Sequence, residues 1–275
     1  MDKKLTLAER YSKLRSGFKI VICFILIMMV LILYEVVTYG HHNLAQYAQE
    51  IAFIVIPIIL WKYVEKKPLE MLGFSKGKRL VLTLIVGLVC GAAAISIVLV
   101  ILLFSKNAIF VGSILKPNFT AGTFNGLILF ILVGFAEETF FRGYCLRSIS
   151  EKNKKIIAVV IASILFSLLH GLNPNVGVLF FMNVFLIGML FAYMTFKFNI
   201  WLPIGFHIMW DYFESNVWGF ADSGIVIKGI YNIKVPVNNI INGGLVGPEG
   251  GLAVTFTVLL GFFIIFMIKR RDTAK

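Results

Sequence analysis

Six residues of this sequence combine types and spacings that could do chemistry: Glu137, Glu138, Arg142, His170, His207 and Asp211. The first three fall in Gly-Phe-Ala-Glu-Glu-Thr-Phe-Phe-Arg-Gly, residues 134–143, at the end of a long apolar run. An ionisable side chain near a bilayer centre costs about 2.5–3.5 kcal/mol on insertion scales, so two adjacent carboxylates there need a reason. On a helix Glu138 and Arg142 are four apart with the acid N-terminal to the base, the favourable order for an ion pair. Glu137 is turned about 100° away at 3.6 residues per turn, and the same arginine cannot easily neutralise it. One carboxylate therefore reads as structural and the other as free, and a free carboxylate in a partly dry site is a general-base candidate. The plain alternative is two glutamates fraying into an interface.

His170 closes Phe-Ser-Leu-Leu-His, 166–170, while His207 and Asp211 are four apart on one helical face. A lone buried histidine is more often a packing residue than a ligand. Two histidines, two glutamates and an aspartate spread over three apolar runs would each be costly facing lipid, so they should turn inward to a common hydrated cavity. These are the groups that bind a catalytic zinc or polarise a water. The HExxH pattern is absent, so any ligands would come from separate helices. No GxSxG, Walker loop or GxGxxG competes. His41 and His42 lie in a short polar segment and read as solvated.

The elements that must position these residues are membrane spans. At 59% hydrophobic residues and a mean hydropathy of +0.90, the 275-residue chain is too apolar for a sizeable water-soluble domain. Its net charge of +12 sits in short clusters between apolar runs, the pattern of cytoplasmic loops and not of a nucleic-acid surface. The expected fold is an all-α integral membrane protein, a bundle of about eight transmembrane helices with N and C termini cytosolic. Spans are expected over 18–39, 44–64, 80–104, 124–148, 156–170, 176–196, 200–218 and 252–268. The long outer segment 219–250 is read as a Gly- and Asn-rich loop. The first run is too long for a signal-peptide core and reads as a retained span. Gly87, Gly91 and Ala92–Ala94 should allow close helix contact in the third span. Residues 1–17 form a basic cytosolic segment, expected as a short amphipathic helix at the membrane surface. Residues 18–119 are the N-terminal spans, 120–268 the core that holds the chemistry, and 269–275 a basic cytosolic tail. Cys23, Cys90 and Cys145 show no pairing pattern and read as packing residues.

At the six residues the chain resembles the CPBP family, also called Abi: the type II CAAX prenyl endopeptidases and their bacterial relatives. Glu137, Glu138 and Arg142 match the family motif EExxxR; Phe166 and His170 match FxxxH; His207 and Asp211 match His followed four residues later by Asn or Asp. The stretch 243–251, Gly-Gly-Leu-Val-Gly-Pro-Glu-Gly-Gly, is similar to the glycine-rich return before the last span. The likeness covers roughly residues 120–265. It implies an intramembrane endopeptidase acting on a membrane-associated protein or peptide near the cytosolic face. Glu137 would activate water, and Glu138, His170, His207 and Asp211 would bind a metal or polarise the scissile carbonyl, with Arg142 in support. Zn2+ is the metal implied, with a metal-free glutamate-activated water as the alternative. Asp211, unlike asparagine, only accepts hydrogen bonds when ionised; it suits a metal or the orientation of His207.

Two other readings compete: a non-proteolytic membrane regulatory or immunity protein, and a proton-coupled transporter, the latter weakened by the lack of a repeat between the halves. The expected partners are membrane lipid and a membrane-associated peptide, with no nucleic acid; nothing in the sequence speaks to oligomeric state. Abundant Ile, Lys, Asn and Phe hint at an AT-rich bacterial genome, hence a bacterial cytoplasmic membrane and a short membrane peptide as substrate. One conflict of depth remains. At 1.5 Å per residue Glu137 and His207 lie about 15 and 10 Å above the basic end of their spans, but His170 lies about 20 Å above Ile156. The depths agree if Lys154 and Lys155 already begin a protruding helix.

Overall fold

The computed structural model describes residues 6–38 and 44–268. His41, His42, Lys3, Lys4 and the tail 269–275, for which solvated or cytosolic positions were expected, lie outside the described residues. The chain is a multi-pass membrane protein. Among the described residues six helices are long and apolar enough to cross a membrane: Ser16–Val37, Ala45–Val64, Lys78–Phe104, Ala121–Ser150, Lys155–Leu172 and Val178–Lys197. They match the first six expected spans. The expected seventh and eighth are shorter. The seventh has 11 α-helical residues and 6 π-helical ones, and the eighth has 16. The seventh is buried at nearly every residue, so its length is set by protein neighbours and not by bilayer thickness.

The α-helices are α1 (Leu7–Lys13), α2 (Ser16–Val37), α3 (Ala45–Ile59), α4 (Lys78–Phe104), α5 (Ala121–Glu138), α6 (Leu146–Ser150), α7 (Lys155–Leu169), α8 (Val178–Lys197), α9 (Trp201–Asp211) and α10 (Leu252–Met267). α1 opens on a Thr6–Glu9 capping box and packs against the bundle, with the Tyr11 hydroxyl 2.5 Å from that of Tyr144. Three helices run on into π-helical turns: α3 into Leu60–Val64, α5 into Thr139–Cys145 and α9 into Tyr212–Val217. The last two begin directly after Glu138 and Asp211, and such bulges often sit at functional sites.

Strands are confined to the non-helical segments. β1 (Ile109–Val111) pairs antiparallel with β4 (Asn232–Lys234), and β2 (Ala221–Asp222) with β3 (Ile225–Val226). The segment expected as an outer loop is thus partly ordered as strands. Ser223 and Gly224, both at positive φ, make the two-residue turn between β2 and β3.

α9 is the pivot of the bundle. A methyl group at Gly87 or Gly91 of α4 would collide with the carbonyl oxygens of Leu202 and Phe206, and one at Gly205 with that of Leu84. Gly134 of α5 meets Ile208 from the other side. The close contact expected of Gly87 and Gly91 is therefore present, and its partner is α9.

The basic clusters share one end of the bundle. Lys19 and Lys67 pair with Glu65, Lys67 also with Glu151, and the Lys152 ammonium donates to the Leu14 carbonyl. Above them the bundle is sealed by Trp61, Leu72, Phe141, Tyr144, Leu146 and Ile200, all fully buried. The depth conflict resolves here. α6 carries the fourth span on to Ser150 and α7 starts at Lys155, so Glu137 and His170 both lie about 20 Å above that end. α9 starts higher because the segment at 65–77 lies beneath it; the Ile200 amide donates to the Gly73 carbonyl at 3.2 Å.

Candidate active site

Four of the six expected residues, Glu137, His170, His207 and Asp211, surround one point, with Glu138 and Arg142 behind them. Glu138 accepts a hydrogen bond from Arg142 Nη1 at 2.6 Å, the i,i+4 pair expected, and both side chains are buried. Its Oε1 also accepts from His207 Nδ1 at 3.0 Å. The Arg142 guanidinium carbon lies 4.0 Å from the ring centre of Phe166 and 5.1 Å from that of Phe191, so its charge is held by one carboxylate and two aromatic faces. Phe166 also packs edge-on to His170 and His207, at ring separations of 4.8 and 6.2 Å. This explains a phenylalanine four residues before His170: one ring backs the arginine and both histidines.

Glu137 is turned away from the arginine, as its helical phase requires. Its Oε2 lies 3.9 Å from His170 Nε2 and 3.9 Å from His207 Nε2, with no hydrogen-bond partner. His170 Nδ1 stands 2.8 Å from the Phe166 carbonyl, which can only accept, so Nδ1 carries the proton and Nε2 offers a lone pair towards Glu137. His207 Nε2 lies 3.3 Å from Asp211 Oδ2. α9 presents His207 at the height of Glu137 because Gly134, one turn before the carboxylates, seats directly on Ile208.

Among the described residues the expected metal set meets zinc spacing at one pair only. Donors to one tetrahedral zinc at 2.0–2.2 Å stand about 3.4 Å apart. His207 and Asp211 meet that spacing, but Glu138 Oε1 is taken up by Arg142 and His207, and His170 joins neither in a set of three. The pair of imidazole nitrogens and the Glu137 oxygen instead frame a gap the size of a water.

A cavity of about 360 Å³ opens above this point, lined by Glu137, His170, His207 and Asp211. Sequence reasoning missed its other polar walls. Gln46, Gln49 and Glu50 come from the start of α3, and Asp222, Ser223 and Glu249 from the segment after α9. Burial, then Glu249 and Glu137, push the Asp222 carboxyl well above the usual carboxylate range. Glu50 and Glu249 could have been singled out as acids in or beside apolar runs; Asp222 carries no such signal. All of these walls belong to the bundle end away from the basic clusters.

A family model described as type II CAAX prenyl endopeptidase Rce1-like matches residues 119–213. Residues 119–213 are thus similar to that family over about a third of the chain. That stretch holds Glu137, Glu138, Arg142, His170, His207 and Asp211, so the resemblance carried by the three motifs extends to the match. No curated protein matches the chain.

Proposed function

We propose that this chain is an intramembrane endopeptidase in which Glu137 activates a water held against His170. The observation that carries the reading is the buried Glu137 oxygen, without a hydrogen bond, facing the Nε2 atoms of two histidines at 3.9 Å each. A water in that gap donates one hydrogen to Glu137 and the other to His170 Nε2, which leaves an oxygen lone pair aimed into the cavity. Glu137 takes a proton as the oxygen adds to the scissile carbonyl carbon, and the carbonyl electron pair moves onto its oxygen. His207, held at Nδ1 by Glu138, donates from Nε2 to that oxyanion. Collapse of the intermediate breaks the C–N bond, and Glu137 returns the proton to the departing nitrogen. Arg142 and Glu138 fix His207 and do not touch the peptide.

The substrate is a membrane-borne peptide entering from the end of the bundle away from the basic clusters. By the positive-inside pattern this is the outer face, so the reading moves the cut from the expected cytosolic side to the outer leaflet. A second, apolar cavity of about 400 Å³ shares the Ile187, Phe191 and Trp210 wall and suits the lipid-embedded part of such a substrate.

Glu137→Gln keeps the size and removes the base. With purified protein and a cleavable membrane peptide we expect cleavage to fall about 10²–10⁴-fold. Unchanged cleavage refutes the assignment. Loss of wild-type cleavage in excess chelator, regained with Zn2+ alone, would replace the metal-free mechanism with a zinc-dependent one.

A further inference from the structure

Above the catalytic cavity three carboxylates from separate segments converge: Glu214 from the π-helical turn after α9, Asp222 from the end of β2, and Glu249 from the glycine-rich return before α10. One oxygen from each lies within 4.8 Å of the others. All three fall outside the matched core, and none has a role in the mechanism above. Such a cluster is costly unless something offsets its charge, because like carboxylates in a dry site repel.

Among the described residues nothing supplies that offset to Glu214. It is fully buried, one of its oxygens points into the cluster, and neither oxygen has a hydrogen-bond partner. The Trp210 indole nitrogen faces it without completing a hydrogen bond. Glu65, equally buried, is paired with two lysines; among the described residues no lysine, arginine or histidine pairs with Glu214, Asp222 or Glu249. Among the described residues the one hydrogen bond to a cluster carboxylate is the Ser223 hydroxyl donating to Glu249 Oε2 at 2.5 Å.

We propose that Glu214, Asp222 and Glu249 form a binding site for a hard divalent cation of calcium's size. The donors are all oxygen, which suits Ca2+ or Mg2+ and not a metal selected by nitrogen or sulfur. Ca2+ takes oxygens at 2.3–2.6 Å in irregular shells, so its ligands reach about 4.6–5.2 Å across, which spans this cluster. Mg2+ demands a near-ideal octahedron and keeps most of its waters. The cation would tie the β2–β3 hairpin and the glycine-rich return to the end of α9. Because Asp222, Ser223 and Glu249 also line the cavity, it would hold the mouth in shape without touching the reacting atoms.

The test uses the full chain in detergent, stripped with chelator, with melting temperature and direct calcium binding measured as CaCl2, MgCl2 or ZnCl2 is added. We expect one Ca2+ per chain and a rise of about 4 °C at saturating CaCl2, with a smaller rise for MgCl2. Glu214→Gln should weaken binding at least about tenfold and abolish the rise. Asp222→Asn, at a partly exposed position, should weaken binding too, and it serves if Glu214→Gln fails to fold. Glu137→Ala should keep the full calcium response, which separates this site from the catalytic one. The proposal is overturned if no ion raises the wild-type melting temperature, if the response survives the cluster substitutions, or if it disappears in Glu137→Ala alone.

Discussion

Arg142 shows how one residue can serve a site it never enters. Its guanidinium holds Glu138, which holds His207, while its flat face rests on Phe166 beneath His170. Removing it leaves a buried carboxylate without its cation, a loss that typically costs about 3–5 kcal/mol. Glu137 has no such partner, and its removal should cost little. We therefore expect Arg142→Ala to melt well below Glu137→Ala in detergent, although both lose cleavage. Equal melting temperatures would refute the division of labour between the two adjacent glutamates. Phe166→Ala opens a gap under both histidines, and we expect it to lower stability by about 3–5 kcal/mol. Chemical denaturation of the purified variant checks that figure.

At the scale of the element, α9 is short, buried and held by backbone contact. Its register against α4 and α5 is set where no side chain exists, at Gly87, Gly91, Gly205 and Gly134. That register brings His207 to Glu137. Gly91→Val would force α4 away from the Phe206 carbonyl, with an overpacking cost of about 1–3 kcal/mol. We expect it to reduce cleavage as well as stability, because His207 moves with α9. Gly17→Ala meets nothing within 4 Å and should leave both unchanged. A Gly91→Val protein with wild-type cleavage would show that the register is not what places the histidine.

For the whole molecule the open question is which side of the membrane the cavity serves. Val226 of β3 is 79% exposed beside the mouth, and Met71 is exposed on the basic end. In a Cys90→Ser background, Val226→Cys should react with a membrane-impermeant thiol reagent added to intact cells. Met71→Cys should react only after the membrane is opened. The reverse pattern would return the cavity to the cytosol and leave the catalytic assignment standing, since that rests on Glu137 and the histidines.

The sequence by itself marked most of the spans and the residues that could do chemistry. Long apolar runs report burial in lipid residue by residue, and acids or histidines within them are too costly to be incidental, so the six site residues stood out before any fold was known. The i,i+4 spacing likewise foretold the Glu138–Arg142 pair, because helical phase is a local property. Only the tertiary structure decided what depends on how helices stack. It decided that Glu138 sits between Arg142 and His207, that the cavity's further polar walls come from the start of α3 and the segment after α9, and that Glu214, Asp222 and Glu249 meet. Those three lie in a π-turn, a two-residue hairpin and a glycine-rich return, whose positions follow from long-range packing and leave no periodic trace in the chain.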